Sequence, residues 1–247
     1  MIAEELLGLT AAPARGRTVR RVCIGLGYTA VVLDDGSCGV AYTFAEEAGG
    51  HCAAMDRAGG LAGSDAAEVA QLSQAHDAVS AGVGMACINA LLRPEPAAAE
   101  ADVRQRLEAR PGDVVGMVGY FRPLVPVFRE AGATLHIFER QPQGPDSQVR
   151  ADWAAPLMLP ACDIAVISAT TLINRTLDHL LECAAGARQR IVVGPTAPLV
   201  SAPFRERGVT LISGVEVVDA DRMLEIVAEG GGTRQFGRAV RKLCLEP

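Results

Sequence analysis

Aromatic side chains make up only 4% of the 247 residues, and no apolar run approaches the roughly 18 residues that a membrane-spanning helix needs. A basic surface is missing too. The formal charge of −6 and a pI near 5.3 argue against a general nucleic-acid partner, which would need cations for the phosphates. There is no CxxC pair. The seven cysteines, at 23, 38, 52, 87, 162, 183 and 244, are odd in number and widely spaced. That pattern fits reduced thiols rather than a disulfide frame or a structural zinc site. Cys23, Cys87, Cys162 and Cys183 lie in apolar sequence and are expected to be small buried hydrophobes. The four histidines show no HxH or HExxH spacing, and no Walker, nucleophile-elbow or Ser-His-Asp arrangement occurs. Glu4 and Glu5 stand where a signal peptide would carry positive charge, so the expected location is the cytoplasm.

What is present is an ordinary globular composition, 49% hydrophobic and 21% charged, rich in alanine and glycine. The length suits one large domain or two small ones. Residues 1–10 read as a short amphipathic helix, followed by a polar, basic stretch over 13–21. Residues 22–33 and 39–44 flank Asp34-Asp35-Gly36-Ser37, a hairpin signal that predicts an antiparallel ribbon. After a glycine-rich loop over 48–63, Ser64-Asp65 can cap a helix to about residue 74. A second helix over 78–92 carries Gly82, Gly84, Ala86 and Ala90, which permit close packing, and Arg93-Pro94-Glu95-Pro96 ends it. Residues 97–108, charged and alanine-rich, read as a linking helix. From there strand and helix signals alternate: strands at 114–120, 134–139, 163–168, 190–193 and 209–213, helices at 123–131, 174–185 and 220–228. The expected fold is α/β, a small α+β domain over 1–98 followed by a doubly wound parallel sheet over 99–247. After Gly230-Gly231-Gly232 the basic residues Arg234, Arg238, Arg241 and Lys242 recur at helical spacing, which reads as a solvated or oligomer-contacting helix.

Three strand-like runs end in small or polar clusters. They lead into Gly119-Tyr120-Phe121-Arg122-Pro123, Ser168-Ala169-Thr170-Thr171 and Gly194-Pro195-Thr196-Ala197-Pro198. In an open α/β sheet such loops meet at one crevice, where ligands bind. The first cluster only half resembles a dinucleotide fingerprint. Gly116 and Gly119 are three apart, and Tyr120-Phe121 stands where small residues belong. Glu139, 20 residues beyond Gly119, is where a ribose-binding acid would sit; it reads equally well as a solvated strand end. Thr170, Thr171 and Asn174 can cap a helix, or the same hydroxyls and N–H groups can hold a carboxylate, phosphate or metal-bound oxygen. The prolines around Thr196 fix where that side chain points, which favours a binding loop. His136 reads as a strand-face histidine. His51-Cys52 is the one adjacent soft-ligand pair. His179 and Cys183, four apart on a predicted helix, share a face and could chelate or simply pack.

Several patches together resemble a known family. They are Val22-Cys23-Ile24-Gly25-Leu26-Gly27-Tyr28-Thr29, Gly39-Val40-Ala41-Tyr42-Thr43, Gly84-Met85-Ala86-Cys87-Ile88-Asn89-Ala90, Gly116-Met117-Val118-Gly119-Tyr120-Phe121, Ser168-Ala169-Thr170-Thr171-Leu172-Ile173-Asn174, Gly194-Pro195-Thr196-Ala197-Pro198 and the triple glycine. In that order, from about residue 5 to about 240, the chain resembles the bacterial and archaeal proteins described as "putative heavy-metal chelation" proteins. The resemblance implies an N-terminal domain like the one that begins enolases, joined to a Rossmann-like domain, with the site in the cleft between them. Carried onto this chain, it implies that Tyr28, Thr29 and Asn89 face the cleft from the first domain. Gly119, Tyr120, Phe121, Glu139, Thr170, Thr171, Asn174, Gly194, Pro195 and Thr196 would face it from the second. Tyr120 and Phe121 would supply an apolar wall, Glu139 an acceptor or metal oxygen, and the threonines anion contacts. Enolase catalysis is not implied, because the catalytic barrel is absent.

The leading expectation is thus a protein that binds or processes a heavy-metal ion or a metal-chelating small molecule. The ligand would be a transition-metal ion or its chelate, and neither nucleic acid nor membrane would be a partner. The alternative is a small-molecule enzyme using a nucleotide cofactor of the S-adenosylmethionine or NAD type; a third reading is a sensor or assembly subunit without turnover. The sequence names no catalytic residue. Alanine-rich surfaces and the basic tail are compatible with a homodimer.

Overall fold

The computed structural model describes residues 1–48, 54–141 and 148–247. Helix α1 (Ile2–Leu9) starts with Glu4 and Glu5 at its positive end and buries Ile2, Ala3 and Leu6. Strands β1 (Val19–Ile24), β2 (Tyr28–Leu33) and β3 (Cys38–Tyr42) form an antiparallel sheet in that order. The single ribbon arm expected over 22–33 is therefore two strands, folded back at Gly25-Leu26-Gly27. The cause is tertiary: a Cβ on Gly25 would lie 2.2 Å from the Val227 carbonyl oxygen, so only glycine lets the C-terminal helix approach. The second turn is as expected, with Gly36 at φ +86° and the Ser37 amide donating to Asp35 Oδ1 at 2.9 Å.

Asp65 caps α2 (Ala66–Ala70) and Asp77 caps α3 (Ala78–Leu91), each carboxylate accepting a main-chain N–H at 2.7 Å. Helix α3 is apolar on every side because it is covered on every side. It lies against β2 and β3 and under α2, and its small residues set the distances. The expected linking helix over 97–108 is absent. That segment holds strand β4 (Ala99–Glu100) and a 3-10 turn at Val103–Arg106. Its composition favours a helix, but the open edge of the large sheet gives its backbone better partners.

That sheet contains β4, β5 (Val114–Val118), β6 (Thr134–Glu139), β7 (Val149–Ala151), β8 (Ile164–Ser168), β9 (Gln189–Val193), β10 (Leu211–Val217) and β11 (Val240–Leu245). Their order is β4-β11-β10-β9-β8-β5-β6-β7, parallel from β10 to β7 and antiparallel at the β10-β11-β4 edge. The α/β expectation holds, with one correction: the basic tail is a strand. Val240–Leu245 pairs along β10, and Arg241 meets Glu216 across the pair. The three-to-four spacing of the cations imitates a helix face, whereas the unpaired edge of β10 dictates an extended chain.

Helix α4 (Val125–Glu130) covers one face through Leu124, Val125 and Phe128. Helices α5 (Ala155–Met158), α6 (Leu177–Cys183) and α7 (Ala202–Arg205) pack on the other through Leu159, Leu177, Leu181 and Phe204. Helix α6 begins at Leu177 rather than 174, because Arg175 takes φ +61° and breaks the run. Cys87 and Cys162 are buried as expected, Cys244 is buried too, and Cys23 and Cys183 are only half-buried.

Packing crosses the chain midpoint in both directions. Helix α8 (Ala220–Ala228) lays Met223, Leu224 and Val227 on Ala30, Val32 and Val40 of the small sheet. Helix α1 packs on α7, where Arg207 pairs with Glu5 and Asp178, and the Ile2 amide donates to Asp178. No helix among the described residues is long and apolar enough to cross a membrane.

At the amino end of the large sheet, Arg188 donates to both carboxylate oxygens of buried Asp113 and to the Glu108 carbonyl. The guanidinium holds the Asp113 carboxyl below the usual carboxylate range. The pair therefore adds stability above the unfolded-state value of about 3.9, and loses it as pH falls through the lower folded value. Asp113→Asn is expected to lower the urea midpoint at pH 7, with the gap from wild type narrowing below about pH 4. A gap that does not change with pH would show that the ion pair contributes no linkage.

Candidate functional site

The chain runs outward from β5 through β6 to β7, then returns to the other side of β5 and continues through β8, β9 and β10. The carboxyl ends of β5 and β8 therefore flank the point where the strand order reverses, the usual ligand position in open α/β sheets. Gly119 leaves β5 at φ +95°, with its amide on the Phe138 carbonyl at 2.9 Å. A Cβ there would lie 3.1 Å from Ser168 Cβ, so the turns after β5 and β8 touch. Ser168 Oγ and Thr170 Oγ1 are 2.9 Å apart, both half-buried. Each hydroxyl keeps further donor or acceptor capacity.

Glu139 ends β6 beside them and accepts the Tyr120 amide proton. Burial pushes its carboxyl above the ordinary value, a shift opposed by the main-chain N–H groups of Tyr120 and Arg140 and reinforced by Asp152. Tyr120 is exposed, with the Arg122 guanidinium 5.5 Å from its ring centroid. Phe121 is partly buried against the core around α4, and its ring edge would lie 3.4 Å from a Cβ on Gly119, on the same side as Ser168. Gly119, Tyr120, Glu139, Ser168 and Thr170 thus form one cluster.

Across this cluster the small sheet supplies Tyr42, and the segment just after β3 supplies Phe44. Arg140 lies 5.4 Å over the Phe44 ring and pairs with Glu47, so it ties the end of β6 to the segment after β3. Burial, Glu46 and Glu139 all raise the Tyr42 hydroxyl above its usual value, so it stays a neutral donor at neutral pH.

The loop after β9 comes next. Gly194, at φ +130°, donates to the Ser213 carbonyl, and a Cβ on it would lie 3.8 Å from Ala169 Cβ, beside the β8 turn. Thr196 is buried, and its hydroxyl accepts the Tyr42 amide proton at 3.0 Å. The Thr196 carbonyl accepts from Asn89 Nδ2 at 3.0 Å, and the same nitrogen donates to the Val40 carbonyl at 2.9 Å. Asn89 and Thr196 therefore join β3, α3 and the β9 loop. Among the described residues, Asn89 Oδ1 is buried without a hydrogen-bond partner. Pro195 lines a groove of about 270 Å³ with Asp35, Asn89, Arg93 and Glu216.

Other predicted positions are committed elsewhere. Thr29 is buried with its hydroxyl 2.7 Å from that of Thr43. Tyr28 stands edge-on to Tyr42 and Phe236, with ring centroids 5.9 and 4.9 Å away, and burial raises its hydroxyl strongly. Thr171 is buried and donates to the Ser168 carbonyl at 2.6 Å. Asn174 accepts from the Thr176 amide and hydroxyl in a local turn. Sequence reasoning passed over Ser168 and Arg140 as site residues. Ser168 begins the family-like run Ser168–Asn174, whereas Arg140 carries no signal except adjacency to Glu139.

The donor set is oxygen-rich. Among the described residues no three His, Cys, Asp or Glu side chains gather into a metal-holding group, and His51-Cys52 lies outside them. His136 sits half-buried in β6, and burial lowers its pKa.

Comparison with known proteins places this geometry in context. Residues 102–246 match a family model described as "Putative heavy-metal chelation", and residues 7–92 match a second model with the same description. An uncharacterized protein of the archaeon Methanocaldococcus jannaschii is 28% identical over 252 residues, covering 99% of this chain and 96% of its own. A crystal structure of a protein of unknown function from Pyrococcus horikoshii superposes with a TM-score of 0.87 at 22% identity, over 100% of both chains. Another, from Desulfitobacterium hafniense, gives 0.77 at 23% identity over 99% of each. Both are described as members of the family whose model matches residues 102–246.

Proposed function

The chain belongs to the family described as "Putative heavy-metal chelation", and from that premise we propose that it binds a heavy metal in complex with a small organic chelator, in the cleft where the β5 and β8 turns face the small sheet. One observation carries the reading. The switch-point cluster offers a half-buried carboxyl and paired hydroxyls, but no group of three strong metal ligands among the described residues. Such a surface suits hydrogen bonding to a chelator whose own atoms satisfy the metal. Glu139, Ser168 and Thr170 would contact the chelator's polar groups, Tyr120 would lie along its apolar part, and Arg140 would hold the small sheet over it.

A nucleotide-type cofactor on the same turns is the rival reading, favoured by the place of Glu139 at the end of the strand next to β5. Against it, Phe121 and Pro123 occupy the turn where a pyrophosphate would need close backbone approach.

Thermal shift on metal-stripped protein separates the two. The panel holds divalent and trivalent metal salts, the same metals as citrate complexes, NAD(H) and S-adenosylmethionine. A ligand at a hundredfold excess over Kd adds about 2.7 kcal/mol to the folded state. The expected result is a shift with metal complexes that exceeds the shift with the bare salts and falls in Thr170→Val. A shift confined to a nucleotide cofactor and lost in Glu139→Ala would overturn the chelate reading.

A further inference from the structure

Helix α6 carries the chain from the carboxyl end of β8 back to the amino end of β9, so its last residue, Cys183, sits at the opposite end of the sheet from the candidate site. One turn earlier on the same face is His179. Its Nε2 lies 3.7 Å from Cys183 Sγ. His179 is exposed and Cys183 half-buried, so water and small solutes reach the pair. No other described cysteine has an imidazole among its hydrogen-bond partners. The sulfurs of Cys38, Cys87, Cys162 and Cys244 face main-chain carbonyls. Burial also pushes the thiols of Cys38 and Cys87 up to about 12 and that of Cys162 up to about 11, which keeps them protonated.

We propose that His179 and Cys183 form a two-coordinate site for a soft monovalent cation of the copper(I) class. Thiolate sulfur selects such ions, and imidazole nitrogen is an accepted second ligand. Closed-shell monovalent ions of this group bind linearly through two donors, so the lack of a third protein ligand is no obstacle. Zinc bond lengths, about 2.3 Å to sulfur and about 2.0 Å to nitrogen, serve as a guide and add to about 4.3 Å between the donors. The present 3.7 Å must therefore open by about 0.6 Å, a change that rotation of an exposed histidine supplies. On binding, the thiol proton leaves to solvent, one metal–sulfur bond and one metal–nitrogen bond form, and no electron is transferred. The bound unit is neutral, so exposed Glu182 beside it needs no counter-charge. The site is independent of the cleft reading, sharing no residue with it.

Silver(I) is the redox-stable probe. Reduced, metal-stripped full-length protein is titrated with it against a competing chelator and read by native mass spectrometry. Wild type is expected to hold one ion at least tenfold more tightly than either His179→Ala or Cys183→Ser. Equal affinity in His179→Ala would reduce the site to a lone thiol and overturn the proposal. So would equal affinity in Cys183→Ser, which would place the ion elsewhere. Should Cys183→Ser fold poorly, silver protection of Cys183 from iodoacetamide, compared in wild type and His179→Ala, reads the same point. Protection independent of His179 counts against the pair.

Discussion

Gly84→Ala is expected to destabilise the protein by about 3 kcal/mol or more, as a lowered urea midpoint with little change in slope. Helix propensity alone predicts the opposite, since alanine in a helix interior is favoured over glycine by about 1 kcal/mol. Contact decides the sign. A Cβ on Gly84 would lie 1.8 Å from the Ser73 nitrogen, 2.5 Å from the Leu72 carbonyl carbon and 2.6 Å from Ser73 Cα. All three atoms are main chain, so no rotamer change relieves the overlap, and α3 must separate from the turn at Gln71–Gln74. That separation opens the core shared by Val69, Met85 and Ile88. Gly8→Ala on α1 is the control: no atom of the described residues lies within 4 Å of its Cβ, so propensity acts alone and a small gain is expected. Equal stability of Gly84→Ala and wild type would mean that α3 is not held against that turn.

Asn89→Ala carries the second large effect, one that reaches the candidate site. Its side-chain amide donates to the carbonyls of Val40 and Thr196, two chain segments far apart in sequence. Removing the donor leaves the Thr196 carbonyl, in a buried residue, without its partner. Each lost bond costs about 1 kcal/mol, and an unsatisfied buried carbonyl adds about 1–3 kcal/mol. The expected total is about 3–5 kcal/mol of stability. Because the loop at Gly194–Thr196 sits beside the β8 turn, affinity for a ligand at the proposed site is expected to fall as well. Thr196→Val tests the same tie from the other side, removing the acceptor for the Tyr42 amide while keeping the side-chain shape. Thermal midpoints with and without a cleft ligand check both variants. Loss of stability with unchanged ligand shift would confine the tie to folding.

Much of the architecture is legible in local sequence. The buried runs at Val114–Val118, Ile164–Ser168 and Gln189–Val193 announce themselves because a strand covered on both faces must be continuously apolar. Asp65 and Asp77 mark helix starts because a carboxylate satisfies free N–H groups wherever the chain enters a helix. The segment after Gly230-Gly231-Gly232 was less legible. Arg238, Arg241 and Lys242 repeat at helical spacing, yet Val240–Leu245 is extended, because the partner that fixes it, β10, lies more than twenty residues away.

The candidate site divides in the same way. Gly119 and Thr170 are readable as loop residues beyond strand ends and Glu139 as a strand end, and the fold brings them together. Thr196 and Asn89 read equally as ligand contacts, but the Thr196 hydroxyl and the Asn89 Nδ2 are taken by backbone from other segments. Arg140 was invisible, since its stacking on Phe44 and pairing with Glu47 join residues almost a hundred positions apart. By itself, then, the sequence determined the α/β class, the strand ends and their loops, and the family, all of which follow from short-range periodicity and motif order. Only the tertiary structure decided which hydroxyls stay available and which are spent, that α8 covers the small sheet, and that the tail is a strand. Those outcomes depend on which unpaired backbone edges and apolar faces meet, and no local pattern encodes the partner.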